Sequence, residues 1–259
     1  MRFIDLAFVG RPEDFDKRAT AALSDGPDRI EDHSIVWRDC KEHLKAASHQ
    51  KCFYCESKDI RSDGAVDHFR PKSIYPWSAF NFWNFRFACT FCNSLRKDKE
   101  TKVTGGKGNQ FPLFDDAPRA TCAAEECHER PKLIDPCNAG DPLEIDFTSD
   151  GQAVPAYTDE GDERCERGKV SILAYHLNHT AFVEERRRHA IILEEKVQAA
   201  SSAHESYAAG NPDAKTRLDE AISDLHRAIQ PQATYSVFAR RVLNWHRENP
   251  LIEAVLRTA

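Results

Sequence analysis

Two Cys-x-x-Cys pairs, Cys52/Cys55 and Cys89/Cys92, restrict this 259-residue chain more than anything else in it. Four thiolates at that spacing make a closed tetrahedral zinc site, so the segments that carry them must lie side by side, with the chain between them looping out and back. The competing use of cysteine, disulfides, belongs to oxidising compartments. The chain begins MRFIDLAFVGRPEDF, a short apolar run that reads as a first strand and lacks a signal-peptide core and cleavage site. No apolar run approaches the roughly 20 residues of a bilayer span. A cytosolic location is therefore expected, with the nine cysteines serving as thiols and metal ligands.

The looped-out segment carries chemistry of its own. Asp67-His68 runs into Phe69-Arg70-Pro71-Lys72, Asn84 follows, and Asn93 comes straight after Cys92. Pro71 disfavours helix at Arg70, so residues 66–69 are extended, entered through a turn at Ser62-Asp63-Gly64. On an extended segment Asp67 and His68 point to opposite faces. A β-hairpin presenting them is expected, then a loop whose Trp77, Phe80, Phe82, Trp83, Phe85 and Phe87 form a small core, and a helix opening near Cys92-Asn93 that carries Arg96, Lys97 and Lys99 outward.

Charge sharpens this reading. The chain carries a net charge of −6, yet residues 58–107 hold ten Lys/Arg against five Asp/Glu, a balance of +5 that leaves −11 for the remainder. A basic segment inside an acidic chain suits a focused phosphate-binding surface. Phosphodiester hydrolysis needs a base for the attacking water and a divalent ion at the phosphate. A histidine near its ordinary pKa, a carboxylate and an amide oxygen supply that set as His68, Asp67 and Asn93. The zinc would hold the hairpin to the helix that bears Asn93.

Elsewhere the sequence is less informative about chemistry. Helices are expected over 12–24 and 34–48, with Cys40 buried. Thr104-Gly-Gly-Lys-Gly-Asn109 reads as a flexible break and lacks P-loop spacing. Cys122, Cys127, His128 and Cys137 form a second group of possible ligands, a poor match to zinc spacings. Leu143–Phe147 alternates and turns back at Ser149-Asp150-Gly151 toward Ala153-Val154, a second hairpin. Helices follow near 163–177, 180–206, 212–229 and 232–246, with a last turn after Pro250. Tyr235, Phe238, Val242 and Trp245 lie on one stripe. Arg186-Arg187-Arg188 reads as a solvated or packing face, and His176, His179, His204 and His246 lack ligand spacing. The fold class is α+β, divided as 1–50 (N-terminal strand and helices), 51–115 (zinc-braced core), 116–160 (loop and hairpin) and 161–259 (helical).

Asp67-His68, Asn84 and Asn93 in Cys-x-x-Cys-Asn resemble the HNH, or ββα-metal, endonucleases. The resemblance implies Asp67 and Asn93 as ligands of a catalytic Mg²⁺ or Mn²⁺, His68 as base, Asn84 as the residue orienting the loop and the base's backbone, and Arg70, Lys72, Arg96 and Lys97 on the substrate. The family often has Lys three residues after the last Asn, where this chain has Arg96. CFYCE, DHFRPKS, YPW, CTFCN, GNQFPL and PKLIDPC together are similar to the PtuB-like nucleases of Septu and retron antiphage systems. That similarity implies DNA as the favoured substrate, an ABC-type ATPase partner and no membrane. The competing readings are a nuclease acting alone and a zinc ribbon that binds nucleic acid or protein without cutting it.

Overall fold

Alternation along one short strand divides the interior in two. β2 (Phe85–Ala88) reads Phe-Arg-Phe-Ala and pairs antiparallel with β1 (Ala65–His68), placing Asp67 opposite Arg86 and His68 opposite Phe85. Phe85 and Phe87 point into one apolar cluster with Phe15, Ile30, Val36, Trp37, Leu44 and Phe80. Ala88 points into the other, with Tyr54, Phe69, Leu133, Ile134, Tyr175 and the C-terminal helices. The expected aromatic core exists: Phe80, Phe82, Phe85 and Phe87 are buried, whereas Trp83 is exposed.

The computed structural model describes residues 1–58, 63–114 and 119–258. Ser62 of the expected turn and Arg61 of the basic segment lie outside them. Among the described residues the architecture is α+β, with nine α-helices and three two-stranded antiparallel sheets. The first apolar run forms no strand. Ile4 N donates to Pro136 O at 2.9 Å, but proline has no N–H to return the bond, and Leu6–Phe8 closes into a 3-10 turn. α1 (Phe15–Ser24) forms as expected. The expected helix over 34–48 is split into α2 (Ile35–Arg38) and α3 (Lys41–Ala47), broken where Cys40 N tightens onto Trp37 O. Cys40 itself is completely buried.

Cys89 caps α4 (Thr90–Asn93), which is a single turn. It does not extend to carry the cations. Lys107 N donates to Cys92 O at 2.8 Å and Gly108 N to Asn93 O at 2.7 Å, so the carbonyls that a second turn would use are already satisfied. Arg96 and Lys97 form β3 instead, paired with β4 (Thr104–Gly105). The second hairpin is β5 (Ile145–Phe147) with β6 (Ala153–Pro155); Leu143 precedes it in a 3-10 turn and is exposed.

α5 (Glu163–Ala174) begins at Asp162, whose side chain accepts from Arg164 N. α6 (Thr180–Ala208) packs along α7 (Ala214–Ile229). α8 (Ser236–Asn244) starts later than the expected 232 because Tyr235 sits in the left-handed region at φ 53°. It buries Phe238 and Val242 but leaves Trp245 part-exposed. α9 (Pro250–Arg257) closes the chain's helical part. The arginine triplet divides: Arg186 is buried and donates to Gly151 O and Leu177 O, both at 2.6 Å, while Arg187 and Arg188 are exposed. No helix of the described residues is long and apolar enough to cross a membrane.

Candidate metal centre and the residues around it

The four sulfurs of Cys52, Cys55, Cys89 and Cys92 lie within 4.8 Å of one another and all four residues are buried. Two backbone N–H groups point at sulfur, Cys89 N at Cys52 Sγ (3.3 Å) and Ser57 N at Cys55 Sγ (3.4 Å). A soft, closed, four-thiol donor set fits a structural zinc ion. The knuckle is tied on both sides. Phe53 N donates to Phe87 O of β2 at 2.9 Å. Glu56 accepts from Lys51 Nζ (2.9 Å), Ser236 Oγ (2.9 Å) and Val237 N (3.2 Å), so the residue after the second cysteine caps α8.

Asp67 and His68 end β1 on opposite faces, as alternation requires, and both are buried, at 4% and 6% exposure. Asp67 Oδ2 accepts from Tyr54 OH at 2.5 Å and Oδ1 from Lys107 Nζ at 3.1 Å. Burial raises the Asp67 pKa against the pull of Lys107 and Tyr54. Burial likewise lowers that of Lys107 against the pull of Asp67. Tyr54 stacks flat on Tyr175, centroids 4.0 Å apart, and burial with the adjacent Asp67 charge pushes its hydroxyl well up. Each Asp67 oxygen thus carries a hydrogen bond, and the Lys107 ammonium faces any cation that would approach Oδ1. Asn93 is half-buried at the end of α4, joined to Asp67 through the Gly108 and Lys107 backbone and the Lys107 side chain.

His68 lies among rings, its own centroid 5.1 Å from those of Trp37 and Phe85. The expectation of an ordinary pKa fails here, because burial pushes it down to about 3, with only partial relief from the hydrogen bond to Ala79 O. Nε2 lies 2.8 Å from that carbonyl. A carbonyl only accepts, so Nε2 carries the proton and the neutral ring's lone pair is on Nδ1.

Asn84 is buried just before β2. Its Oδ1 accepts from Arg70 N (2.7 Å), and Nδ2 donates to Arg70 O (2.9 Å), Ser78 Oγ (3.1 Å) and Ser78 O (3.3 Å). Its own carbonyl accepts from Phe69 N at 2.8 Å. One amide thus fastens both ends of the loop that presents Ala79 O to His68.

Two of the four expected phosphate-binding cations are paired within the fold: Arg70 donates to Glu129 at 2.9 Å, and Lys72 pairs with Glu31 at 3.0 Å. Arg86, outside that set, makes a bidentate pair with Asp135 at 2.7 and 2.6 Å. The cationic surface that remains lies on β3 and beyond it: Arg96 sits over the Phe91 ring at 4.3 Å and Lys97 and Lys99 are exposed. With Phe91, His179 and Arg188 these residues line a cleft of about 860 Å³.

Tyr54, Lys107 and Asp135 were not singled out from the sequence. Their signal was present in CFYCE, GGKGN and LIDPC, since each motif places one residue against β1 or β2. The second cysteine group does not assemble: Cys122 and Cys127 are exposed and Cys137 half-buried, and the four-cysteine knuckle is the one close cluster of potential ligands among the described residues.

No family model matches the chain. It is 30% identical over 173 residues to the Septu protein PtuB of Bacillus mycoides (strain KBAB4), an alignment covering 61% of this chain and 53% of that protein. The chain spans about half the length of the curated relative it matches, and its relationship is to a Septu PtuB protein.

Proposed function

We propose that this chain is an HNH-type endonuclease hydrolysing nucleic-acid phosphodiesters, DNA foremost, as the nuclease of an antiphage assembly with an ABC-type ATPase. The observation that carries the reading is the order of β1, β2 and the single turn α4 on a four-cysteine brace, with Asp67-His68 ending β1, Asn84 entering β2 and Asn93 ending α4. The relative's name, Septu protein PtuB, supports the defence role and the partner.

In this reading His68 offers Nδ1 as the proton acceptor, its tautomer held by Ala79 O, and Asn84 bonds the preceding residue, Ser78. Arg96 and Lys97 draw phosphate toward the end of α4. A divalent ion would supply charge neutralisation at the phosphate; Asp67 and Asn93 would hold it, with Asp67 as placed bonded to Tyr54 and to the opposing Lys107 ammonium.

The burial of Asp67 and His68 specifically favours a second reading, a zinc-braced module that binds without cutting. Nicking of supercoiled plasmid in Mg²⁺ or Mn²⁺, compared between the wild type and His68→Ala with DNA affinity measured on the same samples, separates the two. Ion-dependent nicking lost in His68→Ala supports the nuclease. Equal affinity and no cleavage in either protein supports the binding module. Co-expression with an ABC-type ATPase, read by size exclusion, tests whether the chain acts in a complex or alone.

A further inference from the structure

Lys107 occupies a built position. Its side chain is 0% exposed, and Nζ donates to Asp67 Oδ1 at 3.1 Å and His68 O at 2.7 Å. The segment that carries it, read from sequence as a flexible break, is pinned. Gly106 N donates to Ala174 O (3.0 Å), Lys107 N to Cys92 O (2.8 Å) and Gly108 N to Asn93 O (2.7 Å). The glycines are required by contact. A Cβ on Gly105 would lie 2.4 Å from the His176 ring, and one on Gly106, at φ 107°, would lie 2.1 Å from Ser94 O. The backbone of Lys107 is therefore fixed on α4 and its ammonium on β1, across the gap between Asn93 and Asp67.

That ammonium stands where a cation shared by Asp67 would stand. Tyr54 holds the other oxygen, so an ion approaching Asp67 meets a positive charge at contact distance. In buried surroundings the repulsion is many times its value in water. The geometry points to Lys107 as a tethered cation that holds Asp67 in place of a divalent ion and must withdraw before one binds. This rests on reading Asp67 as an ion ligand. A purely structural ion pair would behave differently: removing its cation would leave a buried carboxylate with no gain of affinity for anything.

The test uses the full-length, zinc-loaded protein and Mn²⁺ alone, with binding followed by the loss of the free-ion electron paramagnetic resonance signal. Lys107→Met should bind one Mn²⁺ at least about tenfold more tightly than the wild type, and Lys107→Met/Asp67→Asn should lose that gain. No gain in the single variant, or a gain that survives Asp67→Asn, overturns the proposal. Zinc content and circular dichroism report whether the variants fold. A wild-type measurement stands independently of them. Acylation with an N-hydroxysuccinimide ester, quantified on the Lys107 peptide by mass spectrometry, should be low without Mn²⁺ and rise several-fold with it; unchanged protection at saturating Mn²⁺ overturns the proposal. Plasmid nicking is scored separately. Tighter Mn²⁺ binding without nicking would sink the nuclease reading alone, and nicking with unchanged Mn²⁺ affinity would sink the tethered-cation role alone.

Discussion

Truncating Asp135 to alanine isolates the interaction that secures β2 to the rest of the molecule. The Arg86 side chain is 3% exposed and that of Asp135 18%, and two charge-assisted hydrogen bonds of 2.7 and 2.6 Å join them. After Asp135→Ala only one guanidinium nitrogen keeps acceptors, Nη1 on Trp83 O and Phe85 O, each at 2.8 Å. Nε and Nη2 are left buried beside the Phe69 ring. Cys137 N also loses its bond to Asp135 Oδ1. Breaking one side of a buried pair costs about 3–5 kcal/mol, because the surviving charge is uncompensated. At roughly 2–4 °C per kcal/mol for a chain of this order of size, the midpoint should fall by about 10 °C. Urea unfolding in zinc-containing buffer, followed by tryptophan fluorescence and far-ultraviolet circular dichroism, measures the cost. The double variant Arg86→Met/Asp135→Leu, which removes both charges and keeps volume, should lose less than Asp135→Ala alone. If the single truncation costs under about 1 kcal/mol, or the double variant equals the sum of its parts, the pair does not act as described.

Three further outcomes follow from particular contacts. Cys55→Ser or Cys89→Ser should lose zinc and with it the β1–β2 signals in amide exchange, because binding energy at such a site is folding energy; a zinc-free protein with native exchange protection would contradict this. Asp98 is buried, and although burial alone would raise its pKa, hydrogen bonds from Thr180 N, Glu100 N and Thr180 Oγ1 hold it below the usual carboxylate range. Since the folded value lies below the unfolded one, its contribution is complete above about pH 4 and is lost as pH falls through the folded value; Asp98→Asn should flatten the acid limb of the stability profile, and an unchanged limb would refute the role. Gly106→Ala should destabilise by about 3 kcal/mol or more in the same urea assay, since a Cβ there would lie 2.1 Å from Ser94 O at φ 107°; a change within about 0.5 kcal/mol would show that the segment is not pinned.

Much of this protein is legible in its sequence, for reasons that are local. Thiol spacing alone selects the four-cysteine knuckle. Pro71 and the two-residue period of a strand put Asp67 and His68 on opposite faces of β1, and three-four periodicity marks α5 through α9. What periodicity cannot carry is the partner of a polar side chain. Arg70 and Lys72 look like phosphate ligands in one dimension, yet each faces an acid distant in sequence. Lys107 looks like part of a loose linker, yet two glycines let its backbone close against α4 and Ser94. The length of α4 was undecidable for the same reason, because its end is set by N–H groups from residues 107 and 108. The sequence determines which donors and acceptors exist and which face of an element they share. Only the folded chain decides which are spent on one another, because a buried charge is tolerated where an opposite group meets it, and here Lys107 and Tyr54 meet Asp67.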